Sequence, residues 1–160
     1  QDATTAAILT VESEAVSNAP STFTTALPAQ TYADWSFMYY DDSGPPGTAP
    51  SDVPKNDAIP NVLKYALAID PVSSAGSVGL PSVVKQNGAR IFRHLIPSWA
   101  TDLTYQYEIS DNVSGWIPAV SGVHYSRADS VLPGSVIQSD FTILVNWPRA
   151  FMRVRAILAP

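Results

Sequence analysis

The stretch Leu103-Thr-Tyr-Gln-Tyr-Glu-Ile-Ser110 decides the fold class. Leu103, Tyr105, Tyr107 and Ile109 alternate with Thr104, Gln106 and Glu108, a period of two that puts the apolar residues on one side of a pleated strand. A helix would scatter the same residues around its circumference. Outward from this stretch the same period recurs, with candidate strands at 82–85, 89–96, 104–110, 116–118, 136–138, 141–146 and 151–158. Asn87-Gly88 separates the first two and is a strong signal for a tight hairpin turn. Phe141, Ile143, Val145 and Trp147 share one face, as do Met152, Val154, Ala156 and Leu158, with Phe151, Arg153 and Arg155 opposite. Short strands joined by turn residues predict a mostly β fold, an antiparallel β-sandwich of Ig-like or jelly-roll-like form. Proline, 14 residues spread along the chain, disfavours a helical bundle.

The N-terminal half departs from this period. Thr31 has the character of a helix N-cap for residues 32–40, with Asp34 completing an acidic capping box. Tyr32, Trp35 and Tyr39 fall on one side of that helix. A second helix is expected over 57–69, capped by Asn56 or Asp57, with Pro60 in its first turn, an apolar stripe through Ile59, Val62, Leu63, Ala66, Leu67 and Ile69, and a stop at Asp70-Pro71. Before both helices, residues 4–11 read TTAAILTV, with Ala7, Leu9 and Val11 on one face and Ile8 between them. Residues 17–30 are rich in Ser, Thr, Ala and Pro and read as a connector with a short strand at 22–27. The organisation expected is an arm, 1–30, and one β-rich domain, 31–160. An apolar terminal strand must find a partner, because unpaired backbone groups are costly. Ala7, Ile8, Leu9 and Val11 are therefore the candidate assembly strand.

The chain of 160 residues is long enough to bury a core. No cysteine is present, so disulfides and thiolate metal sites are excluded. No run approaches the roughly 18 apolar residues of a membrane helix, and no basic, apolar leader precedes Gln1, so the chain reads as a mature exported product, secreted or at the cell surface. The net charge of −5 excludes nucleic acid as an expected partner. Its distribution is uneven. Residues 1–70 carry nine acids against Lys55 and Lys64, and residues 71–160 carry seven bases against five acids. Halves of opposite sign favour docking within the chain or head-to-tail contact between copies.

Asn61-Val-Leu-Lys-Tyr-Ala-Leu-Ala-Ile-Asp-Pro71 resembles the N-L-L-E-Y-A-L-G-x-D-P segment of a C-terminal β-rich module of exported proteins from Verrucomicrobia and related bacteria. Tyr107-Glu-Ile-Ser-Asp-Asn-Val-Ser-Gly-Trp116 and Phe151-Met-Arg-Val-Arg155 are similar to that module's later strands. The resemblance covers about residues 31–160 and implies an exported, surface-associated module without enzymatic activity. The module places a calcium-like D-x-D-x-D-G stretch before its helix, where this chain has Ser51-Asp-Val-Pro-Lys-Asn-Asp-Ala58. Lys55 stands for an acid, Ala58 for the glycine and Lys64 for the helix glutamate. Only Asp52, Asn56 and Asp57 remain as side-chain donors, too few for a hard cation, so no metal and no cofactor is expected.

His94 and His124 have no His, Cys or carboxylate partner nearby in sequence, and no nucleophile elbow, zinc-protease or P-loop pattern occurs, so catalysis is not expected. Asp41-Asp42 reads as a solvated turn and Asn112-Val-Ser114 as an incidental glycosylation sequon. Trp99 and Trp116 follow small residues near strand ends and are the candidate ligand platform, with core packing as the competing use. Two functions are expected. The first is a structural subunit that self-associates into a pilus-like extracellular homopolymer by donating the 4–11 strand to a neighbour. The second is a carbohydrate-binding or cell-surface anchoring module, with a polysaccharide as partner.

Overall fold

The computed structural model describes residues 27–40, 47–72 and 79–159. The expected arm strand with Ala7, Ile8, Leu9 and Val11, and the pair Asp41-Asp42, lie outside the described residues.

Two helices precede seven strands: α1 (Tyr32–Tyr40), α2 (Asn61–Ala66), β1 (Ser82–Gln86), β2 (Ala89–Pro97), β3 (Leu103–Ser110), β4 (Ile117–Pro118), β5 (Tyr125–Leu132), β6 (Val136–Ile143) and β7 (Phe151–Leu158). The strands form two antiparallel sheets, a four-stranded one in the order β1-β2-β6-β5 and a three-stranded one in the order β4-β3-β7. Aromatic side chains join the two sheets. Tyr107 of β3 lies 4.5 Å, ring centre to ring centre, from Phe141 of β6, and Tyr105 lies 5.9 Å from the His94 ring of β2. The mostly β fold read from the alternation is present.

The Asn87-Gly88 hairpin forms with both residues at positive φ, 50° and 83°, the backbone that a two-residue turn of matching twist requires. Two expected strands, 136–138 and 141–146, are one strand, β6, which ends at Ile143 and leaves 144–146 outside the ladder. The polar pair between them interrupts the apolar pattern but not the ladder, because each residue has a partner on its own face. Ser139 Oγ donates to Asp129 Oδ1 on one side, and Asp140 accepts both arms of the Arg93 guanidinium at 2.7 and 2.6 Å on the other. Strand β5 was not expected at all. Its sequence, YSRADSVL, places Arg127 and Asp129 where an apolar face would be sought.

The cap of α1 is as expected. Asp34 Oδ2 accepts the Thr31 N–H at 2.9 Å and the Thr31 hydroxyl at 2.7 Å, while Thr31 Oγ accepts the Asp34 N–H. These bonds, the backbone one foremost, hold the Asp34 carboxyl below its ordinary range. Helix α2 is a correction. It spans Asn61–Ala66 rather than 57–69, with Pro60 at the cap position. Asn56 and Ala58 adopt left-handed φ of 52° and 60°, which no helix tolerates, and Asp57 accepts the Ile59 N–H in a local turn instead of capping.

The C-terminal end of α2 also comes earlier than Asp70-Pro71. Ile69 N–H bonds Lys64 O and Ala68 N–H bonds Tyr65 O, the paired closure of a Schellman motif. Ala68 sits at the left-handed position, φ 51°. Glycine is the residue that pays no steric penalty there, so Ala68→Gly is expected to stabilise the fold by about 1 kcal/mol, read as a higher urea midpoint.

The helices pack over one end of the sandwich. Tyr32, Trp35, Tyr65 and Trp99 form a buried aromatic cluster with Leu103 and Leu158 against it. Asp102, just before β3, ties the layers together by accepting the Tyr32 N–H at 2.7 Å and the Tyr65 hydroxyl at 2.6 Å. Gln30 forms a parallel bridge, its N–H to Trp99 O and its carbonyl from Thr101 N–H, so the entering chain is pinned at the same end.

Candidate functional site

Edge strands carry unpaired backbone groups and are the places where a sheet can accept another chain. Sheet one ends in β1 and β5. Sheet two ends in β7 and, on its other side, in β4, which pairs with only Glu108 and Ile109 of the eight residues of β3. Ala159 N–H bonds Asp102 O, and the β3–β7 register then directs the backbone of Thr104, Gln106 and Glu108 toward β7. Leu103, Tyr105 and Tyr107 point theirs the other way. Ala119 N–H closes that side at Tyr107 O, 2.8 Å, and among the described residues no strand pairs with Leu103 or Tyr105. A cavity of about 400 Å³ opens at this place, lined by Tyr105, Gln106, Tyr107, Glu108, Pro118 and Ala119. Residues of both parities line it, so it straddles the strand's edge and not one face.

The walls of this groove are fixed from beneath. The Leu95 carbonyl can only accept, so His94 Nδ1 is its donor at 3.0 Å, and Nε2 accepts the Tyr107 hydroxyl at 3.2 Å. His94 is buried, and burial, with the Arg127 charge adding to it, holds the imidazole below its ordinary value of 6.5. The folded state therefore binds this proton more weakly than the unfolded chain does. Its contribution to stability is complete above about pH 6.5 and is lost as the pH falls below it. Urea midpoints are expected to fall between pH 6.5 and 5, above the range in which the carboxylates titrate, and His94→Gln is expected to flatten that slope.

Ser139, His94 and Asp129 are neighbours across three strands, yet they are not a nucleophile–base pair. Ser139 Oγ donates to Asp129 Oδ1 at 2.8 Å and accepts from Arg127 at 3.1 Å, while both nitrogens of His94 are engaged elsewhere. His124, the other histidine, takes the Val120 N–H on Nδ1. Among the described residues no group of three or more His, Cys, Asp or Glu side chains is placed to hold a metal. Of the expected donors Asp52, Asn56 and Asp57, Asp57 has the Lys64 ammonium 2.7 Å from its Oδ2.

The two tryptophans of the expected platform lie in different layers. Trp99 is 7 % exposed and packs on Tyr65 at 5.4 Å in the aromatic cluster. Trp116 is half-buried on the outer side of sheet two, where Arg153 stacks on its ring at 4.2 Å and pairs with Glu108 at 2.7 Å. One face of Trp116 is thus covered by the chain's own cation. A separate cleft of about 250 Å³ brings Leu27, Trp35, Tyr39, Asp70 and Trp99 together beside the β5–β6 turn. Neither the open β3 edge nor this cleft was anticipated from the sequence, since each is made by elements far apart in the chain.

Comparison with protein-family models, curated proteins and solved structures finds no match. No helix among the described residues is long and apolar enough to cross a membrane.

Proposed function

We propose that the chain is a non-enzymatic structural subunit of an extracellular filament or surface assembly, polymerising by donation of residues 4–11 to a neighbouring copy. The observation that supports it most is the incomplete second sheet, in which an eight-residue β3 is flanked on one side by only two residues of β4. An added strand supplies backbone bonds for strength, and its alternate side chains set the register. Donor and acceptor are different surfaces, so the contact is heterologous and grows without closing. The opposite charge of the two halves of the chain favours the same head-to-tail order. Electron microscopy and sedimentation of the full chain are expected to show filaments, and a chain lacking residues 1–14 is expected to stay monomeric. Filaments formed by the shortened chain would end this reading.

The aromatic cleft favours a second reading, a carbohydrate-binding or surface-anchoring module. The exposed Tyr39 lines it with Asp70 and the rim of the buried Trp99, an aromatic ring beside a polar group. Binding to a polysaccharide array that Tyr39→Ala abolishes supports this reading, and silence across the array counts against it.

A further inference from the structure

Strand β5 carries an uncovered strip that belongs to the inside of the sandwich. Residues directly opposed across antiparallel strands share a face. Arg127 opposes Phe141, Asp129 opposes Ser139, and Val131 opposes Ile137. In turn Phe141, Ser139 and Ile137 oppose Phe92, His94 and Ile96 of β2. Phe141 and Ser139 are wholly buried on this face, whereas Val131 is 83 % exposed. The connection 119–124 leads from β4 into β5, and β4, the neighbour of β3 on this side, has only two residues, Ile117 and Pro118. Tyr107 reaches Tyr125 at 6.2 Å and covers the start of β5, while Val131 further along the strand stands open.

The unpaired side of β3 and this strip face the same gap. Tyr107 stands at the level of Phe141 and Arg127, and Tyr105 at the level of His94, hence of Ser139 and Asp129. Leu103, two residues before Tyr105, has its side chain against the aromatic cluster at the helix end. We infer that the acceptor is this gap, and that residues 7–11 of a second copy pair with the outward edge of β3 at Leu103 and Tyr105, ahead of Ala119 at Tyr107, while Ala7, Leu9 and Val11 cover β5. This placement rests on the strand-donation reading and adds to it the site and the face.

The chemistry of the two parts agrees. Residues 4–11 carry no charge and alternate small and medium apolar side chains on one face, as a narrow inter-sheet gap requires. Arg127, Asp129 and Ser139 already satisfy one another through the bonds described above, so covering them orphans no charge. Asp2, Glu12 and Glu14 flank the donor, so its charges lie outside the apolar segment that enters the gap. Residues 12–26 span up to roughly 50 Å when extended, against a radius of gyration of about 15 Å for a domain of this length. The tether is long enough to pass to a neighbour.

Because the chain has no cysteine, introduced thiols report the contact directly. Leu9→Cys and Val131→Cys chains are mixed, allowed to assemble and oxidised, and linked peptides are read by mass spectrometry. The expected result is a Leu9–Val131 position cross-link between different molecules, with no comparable link when Val83→Cys on β1 or Ile157→Cys on β7 replaces Val131→Cys. Assemblies in which position 9 links to 83 or 157 instead would overturn the placement and leave strand donation standing. A link formed within single molecules of the Leu9→Cys/Val131→Cys double variant at high dilution, matched by absence of assemblies, would overturn both. A second variant gives an independent reading. Val131→Glu is expected to leave the monomer's urea midpoint unchanged and to abolish assembly, and unimpaired assembly would overturn the placement.

Discussion

Asp57→Ala lowers the free energy of unfolding by about 3–5 kcal/mol, the largest loss expected from any change outside the aromatic core. Lys64 and Asp57 are enclosed together, their side chains 0 % and 1 % exposed, with Nζ 2.7 Å from Oδ2. The contact is an ion pair off the ideal hydrogen-bond alignment, and among the described residues the Lys64 ammonium has no other acceptor. Such a pair contributes little beyond what well-packed apolar residues would, since desolvating both ions offsets their attraction. Removing one partner is different in kind, because it leaves a buried charge without compensation. The double change Asp57→Ala/Lys64→Met, which discards both charges and keeps the stem, is therefore expected to recover to within about 1 kcal/mol of the parent chain. Urea unfolding of the three variants checks the ordering, and a double variant no more stable than Asp57→Ala would contradict it. The pair has a structural task that a helix glutamate could not perform in the same place. It ties the left-handed loop before Pro60 to the buried side of α2, while Asn61 fastens the preceding loop through Gly47 O at 2.6 Å and Ala49 O at 3.2 Å.

The other large effect is expected at the centre of the sandwich. Phe141→Ala costs about 3–5 kcal/mol, a transfer term plus the cavity that stiff neighbours cannot refill. Its ring meets Tyr107 at 4.5 Å, Tyr125 at 5.0 Å and the His94 ring at 5.5 Å, so three strands of two sheets share it. The same strip supplies a control. Val131, two pairs along on the same face, is exposed, and Val131→Ala in the monomer is expected to change stability by no more than about 0.5 kcal/mol. Equal losses at the two positions in the monomer would mean that the strip is already covered in the free chain. Thermal or urea unfolding at neutral pH measures both.

Several elements were legible because their signal is local. Alternation at Leu103–Ser110 and Phe151–Leu158, the Asn87-Gly88 turn and the Thr31–Asp34 capping box each depend on neighbours within a few positions, and each is present. Helix α2 misled because an apolar stripe at helical spacing also suits a chain that leaves the helix and buries Ile59, Leu67 and Ile69 as a separate cluster. Lys64 reads as a solvated position, and its burial follows from where Asp57 is carried by the loop. Strand β5 was hidden for a related reason. A strand is recognised by an apolar inner face, and the inner face of β5 carries Arg127 and Asp129 between Tyr125 and Val131.

The sequence by itself determined the class of fold, most strand positions, the first helix and its cap, because backbone preference and side-chain period act over short distances. Tertiary structure alone decided which strand edges stay open, that Trp99 enters the core, and that Arg127, Asp129 and Val131 share the inner face with Phe141. Those outcomes depend on how far β4 extends alongside β3 and on which layer covers which, and pairing between distant segments leaves no local trace in the residues it joins.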